Sequence, residues 1–74
     1  MIMHAIVLSV RPDNLLVLDR ATRREVRVNT PGARRFRPGD FVRIRYNGVM
    51  TRSIPPQISA EHIVRIPWLR PRPR

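Results

Sequence analysis

The sequence contains neither cysteine nor lysine, and its 74 positions hold only four aromatic residues, three glycines and two histidines. Without cysteine, neither a disulfide nor a cysteine-based zinc site can stabilise the fold. His4 and His62 alone do not form a ligand set of the usual spacing, so we predict no metal and no cofactor. So short a chain therefore needs a closed or well-covered sheet, or a partner subunit, to bury enough apolar surface.

Long apolar runs are also absent. No segment is long enough to span a bilayer, so no membrane span is predicted. The apolar opening, residues 1–10, lacks a basic front and is followed directly by the turn-forming residues 11–14, which makes it a poor signal peptide. The absence of an export signal and of cysteine indicates a cytoplasmic protein.

Acidic residues are scarce, five against fifteen arginines, and the formal net charge is +10. Such an excess predicts attraction to polyanions, either nucleic acid or an anionic membrane surface. The planar fork of arginine binds phosphate through two parallel hydrogen bonds, which is one reason for using arginine alone. A GC-rich genome that encodes arginine wherever a solvated cation is needed is the alternative explanation.

The sequence shows no pattern typical of catalysis. It has no nucleophile motif, no glycine-rich phosphate loop and no paired carboxylates at a catalytic spacing. Its carboxylates fall mostly in turns or at outward strand positions, where they have structural roles. They are Asp13, Asp19, Glu25, Asp40 and Glu61. We therefore predict a protein that is not an enzyme.

Alternating apolar residues predict three strands in the first half of the chain. The first is apolar on both sides at its centre, which favours a long, curved strand that belongs to two sheet faces. In the third, Val26 and Val28 alternate with Arg27, so Arg27 is expected to point to water. The predicted strands are residues 2–10, 15–19 and 24–30.

The second half of the chain begins with residues that favour turns. Residues 33–36 allow one helical turn at most, and Phe36 is expected in the core. A turn at residues 37–40, with proline and glycine, precedes a strand over residues 41–46. Alternation in that strand puts Arg43 and Arg45 on its outer face together with Phe41.

Asn47-Gly48 is a strong hairpin signal, and it predicts residues 49–54 as a returning arm that ends at a double proline. Residues 57–66 form the closing strand. Simple alternation would bury His62 and leave Ile63 and Arg65 outside. We favour a bulge near Ala60 or Glu61, because it buries Ile63 in place of the histidine.

Five short strands with almost no helix predict an all-β fold, a small five-stranded OB-like barrel over residues 1–66. Closure removes the sheet edges that so small a domain could not otherwise protect. An SH3-like barrel is the alternative. Residues 67–74, PWLRPRPR, are predicted to be a disordered, extended basic tail without packing of its own.

The segment GDFVRIRYNGVMTRSIPPQISA, residues 39–60, carries a family resemblance. Its pattern GDxVxIxYxGxMTxSxPPQIxA resembles a group of small, functionally uncharacterised bacterial proteins of clostridial type. It is similar, more distantly, to OB-like lipoprotein domains. The resemblance covers about residues 6–66 and implies the barrel fold, but it implies no activity.

Two functions fit these features. The first is binding of nucleic acid, RNA or single-stranded DNA, by an arginine-rich barrel face. In an OB barrel the surface of the second and third strands and two loops usually contact the ligand. The alternative is a protein interaction module that uses the loop of residues 50–57. The predicted nucleic-acid contacts are Arg27, Arg43, Arg45, Arg52 and Arg65, and the predicted loop contacts are Met50, Ile54 and Gln57.

Overall fold

Five strands and one short 3-10 helix account for the regular structure of residues 1–67, the part of the chain that the computed structural model describes. The predicted ends differ from the observed ones by at most one residue. The helix is Ala33–Arg35. The strands are β1 (Ile2–Val10), β2 (Asn14–Asp19), β3 (Glu25–Asn29), β4 (Phe41–Tyr46) and β5 (Gln57–Ile66).

The strands close into a barrel in the order β1-β2-β3-β5-β4, with β4 paired back to β1. All neighbours are antiparallel except β3 and β5, which run parallel at residues 27–29 and 57–59. The all-β, OB-like barrel predicted from the sequence is confirmed, in preference to the SH3-like alternative. Of the predicted tail, only Pro67 is described, and residues 68–74 lie outside the described part of the chain.

Strand β1 contributes to two sides of the barrel. Its residues 2–6 pair with β4, and its residues 5–10 pair with β2. A register shift between Val7 and Ser9 marks a bulge, which bends the strand and increases its twist. The prediction of a long, curved first strand is therefore confirmed.

The barrel interior is filled by aliphatic side chains from alternating strand positions. Burying one such side chain stabilises the fold by about 1.5–3 kcal/mol relative to leaving it in water. The largest fully buried ones are Leu15, Ile44, Ile58, Val7, Val17, Val26, Val28 and Val42. Since no metal cluster exists in residues 1–67 and the chain has no cysteine, this core and the closed hydrogen-bond ladder hold the fold together.

A bulge in β5 decides which of its side chains enter that core. Tyr46 pairs with Ala60, whereas Arg45 pairs with His62, so that Glu61 is the extra residue. Ile63 is buried as a result, and His62 is exposed. The structure confirms the predicted bulge.

The connection from β3 to β4 is compact. The single turn of 3-10 helix buries Ala33, and Phe36 after it is also in the core, as predicted. In the following turn the backbone N–H of Asp40 donates to the carbonyl of Arg37 at 3.0 Å, and Gly39 has φ +94. That angle explains why glycine occupies this position.

The predicted returning arm at residues 49–54 is wrong, because residues 47–56 form a loop without a strand. The turn predicted at Asn47-Gly48 does form: Gly48 has φ +92, and the Asn47 side chain accepts a hydrogen bond from the N–H of Val49 at 2.9 Å. However, β4 already pairs with β5, so no partner remains for the arm. The loop instead satisfies its polar groups locally, for example between the hydroxyls of Thr51 and Ser53 at 2.6 Å.

The double proline at the end of this loop sets where the parallel ladder of β3 and β5 begins. The carbonyl of Pro56 accepts a hydrogen bond from the N–H of Arg27 at 2.9 Å. Pro55 and Pro56 have no N–H groups, so the ladder between β3 and β5 cannot continue toward Glu25.

Among residues 1–67, no helix has the length and hydropathy needed to cross a membrane.

Candidate functional site

The outer surface of β1, β4 and β5 carries two cross-strand rows of side chains. The register aligns Ile2, Arg45 and His62 in one row, here called the Arg45 row. The next row along β4, the Arg43 row, consists of His4, Arg43 and Val64. Together these six side chains line an open depression of about 420 Å³. We call this surface the β4 face.

The β4 face is basic, and most of its polar side chains are unpaired within the described residues. The side chains of His4, Arg43 and His62 make no hydrogen bond or ion pair within the described residues. Arg45 has one acidic neighbour, Glu61, with 4.0 Å between Nε and Oε1. Both of those side chains are more than half exposed, so the pair contributes at most about 1 kcal/mol. The face therefore offers exposed cationic groups whose donors are open to an anionic ligand.

Arg27 lies on a different part of the barrel. Its neighbours are Leu16 of β2 and Gln57 of β5, and β5 separates its strand from β4. Gln57, the neighbour of Arg27 on β5, lies about 16 Å along that strand from His62 of the β4 face. The Arg27 side chain is half-buried, and its Nη1 donates to Asn14 Oδ1 at 2.7 Å. Arg27 lies on the outer face, opposite to the buried Val26 and Val28, as predicted. Its guanidinium is not free, however, because it helps to join β2 and β3.

Arg65 does not lie on the outer face, which corrects the prediction that it joins the other arginines of a basic barrel face. It pairs with Val42, whose side chain is buried, so both lie on the inward side of the sheet near the end of β5. Its guanidinium donates to Asp40 Oδ2 at 3.0 Å and to the carbonyl of Arg35 at 2.6 Å. It also lies 5.6 Å from the centre of the Phe36 ring. The bulge that buries Ile63 turns Arg65 inward as well.

Arg52 and the predicted interaction residues belong to the loop of residues 47–56 and its junction with β5. Ile54 is 98% exposed, and Met50 is exposed as well. Both line a groove of about 570 Å³ beside the start of β3, together with Arg24 and Arg52. Gln57 is half-buried, and its backbone N–H donates to the Thr51 hydroxyl at 2.9 Å. Gln57 therefore anchors the loop, whereas Met50 and Ile54 are free to make contacts.

The structure thus brings together only Arg43 and Arg45 among the five predicted arginines. Sequence reasoning missed the two histidines that flank them. Strand alternation together with the bulge is sufficient to place His62 on the outer face. The same alternation in β1 places His4 on the outer face, because its neighbours Met3 and Ala5 point into the core. No local sequence signal indicates that β1 pairs with β4, and this pairing is what brings His4 beside Arg43.

Within residues 1–67, no group of three histidine, aspartate or glutamate side chains lies close enough to hold a metal ion. No buried side-chain nitrogen or oxygen there lacks a hydrogen-bond partner. The β4 face carries exposed hydrogen-bond donors, and most of them have no partner within the described residues.

Comparisons with protein-family models, with curated proteins and with solved structures find no match for this chain. The resemblance to small clostridial-type bacterial proteins stays a prediction.

Proposed function

We propose that this protein binds single-stranded nucleic acid, RNA or DNA, through the β4 face and that it catalyses no reaction. The observation that supports this proposal is the depression in which two arginines and two histidines lie together with one carboxylate at its edge. Guanidinium groups form charge-assisted, bidentate hydrogen bonds with phosphate oxygens. An exposed set of such donors with few acidic partners matches the backbone of a nucleic acid better than it matches a neutral ligand.

A single strand fits this surface better than a duplex. Residues 1–67 contain no α-helix that could enter the major groove, and the β4 face is three strands wide. Arg43 and Arg45 point the same way along β4, about 7 Å apart. Successive phosphates of an extended strand can match that spacing. Arginine planes can also stack on bases, which compensates for the small number of aromatic residues.

Salt titration of binding tests the proposal. Labelled single-stranded DNA and RNA are titrated with the full chain at several salt concentrations, and fluorescence anisotropy gives the Kd. We expect Arg43→Gln and Arg45→Gln each to weaken binding about fivefold, because each removes a contact worth about 1 kcal/mol. Each should also reduce the slope of log Kd against log salt by about 0.7.

Arg11→Gln and Arg34→Gln are the matched controls. Both residues are exposed and lie outside the β4 face, and each change removes the same net charge. Their salt slopes should equal that of the original chain. A Kd weaker than about 100 μM at low salt, or equal losses in all four variants, would contradict the proposal.

A protein interaction module remains the second candidate, because Ile54 is almost fully exposed beside the groove of the 47–56 loop. Exposed aliphatic side chains of this kind are typical of protein contact surfaces. The variant with Met50→Ser and Ile54→Ser leaves the barrel core untouched. If a partner captured from cell extract binds this variant as well as the original chain, the loop is not its contact surface.

A further inference from the structure

The two rows of the β4 face repeat one arrangement. In each row the central arginine of β4 lies between a histidine on one side and an aliphatic residue on the other. In the Arg45 row the histidine is on β5, and in the Arg43 row it is on β1. The rows are therefore inverted copies of each other, with His4 and His62 at diagonally opposite corners.

The spacing within and between rows differs in a way that matters for binding. Directly opposed residues on neighbouring strands have Cβ atoms about 4.5–5.5 Å apart, so the histidine and arginine of one row can contact the same phosphate. The two rows are about 7 Å apart along β4, which is close to the spacing of successive phosphates in an extended strand. Ile2 and Val64, at the other two corners, provide apolar surface for the sugars or bases between them.

Few other charges face the two histidines. Arg45 and Glu61 lie beside His62, while Arg43 lies beside His4. On the far side of His4, Arg20 lines a neighbouring pocket and lies over the Phe41 ring. The amino group of Met1 is hydrogen-bonded to the carbonyl of Tyr46 at 2.9 Å. Protonation of either histidine thus adds charge to a surface whose only acidic group among the described residues is Glu61.

We propose that each row holds one phosphate, so that the β4 face binds two consecutive phosphates of a single strand, and that both histidines bind in their charged form. This inference rests on the proposed function and adds to it the size of the site and its response to pH. Histidine ordinarily changes charge between about pH 5 and 8, whereas arginine stays charged throughout. A phosphodiester also keeps its charge, so binding should tighten as the pH falls through this range.

The first test measures this pH dependence. The probe is oligothymidylate with a pH-insensitive dye, because thymine does not titrate in the range used. At constant ionic strength, lowering the pH from about 8 to about 5.5 should reduce the Kd of the original chain at least about tenfold. His4→Gln and His62→Gln should each remove about half of the change in log Kd, and the double variant should show none. All four proteins should bind equally at the higher pH, and circular dichroism confirms that they fold.

The second test examines the pairing within rows by double-mutant cycles at the lower pH. His62→Gln should couple to Arg45→Gln and add independently to Arg43→Gln, and His4→Gln should show the opposite pattern. Equal coupling within and across rows would overturn the assignment of one phosphate to each row.

The outcomes separate this inference from the proposed function. Binding that depends on Arg43 and Arg45 but not on pH would overturn the inference and leave the proposed function intact. A pH response that survives in the double histidine variant would also overturn it, because the titrating charge would then lie elsewhere. An original chain that binds oligothymidylate at no pH would contradict both.

Discussion

Arg65 and Arg43 show that exposed arginines of one small barrel can have different tasks. About half of the Arg65 side chain is exposed, but its guanidinium contacts Asp40, the carbonyl of Arg35 and the Phe36 ring. The Arg43 guanidinium has no such contact within the described residues. Exposure alone therefore does not distinguish an arginine with a structural role from one that is free to bind a ligand. The contacts that the guanidinium group makes within the protein do distinguish the two.

The same change, arginine to glutamine, should therefore have opposite effects on stability and on binding at Arg65 and at Arg45. Arg65→Gln should lower the free energy of unfolding by about 1 kcal/mol, because it removes an ion pair and a cation–π contact at the barrel end. It should leave single-strand binding unchanged. Arg45→Gln, the matched change, should cost at most about 0.5 kcal/mol of stability and weaken binding. Urea unfolding followed by circular dichroism gives the stabilities, and equal losses of binding in both variants would contradict this division.

The bulge in β5 determines which side chains of this strand lie on the β4 face. It keeps Ile63 in the core opposite Ile44, and it places His62 on the β4 face. The single extra residue, Glu61, is also the acidic neighbour of Arg45. Core packing and the composition of the site are thus set by one local irregularity.

Two single-residue deletions test the bulge. Deleting Glu61 yields a regular strand in which Ala60 and Ile63 still face inward, so we expect a folded barrel within about 2 kcal/mol of the original stability. Deleting Ser59 moves the Glu61 carboxylate to the inward position of Ala60, which should cost about 3 kcal/mol or more. Thermal and urea unfolding measure both. A Glu61 deletion that is less stable than the Ser59 deletion would rule out this register.

The strands were predictable because their signals are local. Alternation defines β4, and proline with glycine defines the turn at residues 37–40, whatever the rest of the chain does. The Asn47-Gly48 signal formed its local turn but not its hairpin, since pairing of β4 with β5 is decided over a longer distance. For the same reason the sequence indicated Arg43 and Arg45 but not their neighbour His4, which is more than thirty residues away along the chain.

At the scale of the whole molecule, arginine is widely distributed. It occurs in the turns around β2 and β3, in the connection to β4, in β4 and β5 and in the 47–56 loop. Two ion pairs are present among residues 1–67, so most of the arginine charge there is uncompensated. This general charge attracts any polyanion and is screened by salt. The β4 face differs from it because two arginines and two histidines line a single depression there.

The most direct measurement is therefore a map of the contact surface. Backbone amide resonances of the isotope-labelled chain are followed by NMR during titration with oligothymidylate. We expect the largest shifts at His4, Arg43, Arg45 and His62, with small changes around Arg27. Shifts concentrated on β2 and β3, or spread evenly over all arginine-bearing segments, would contradict this expectation.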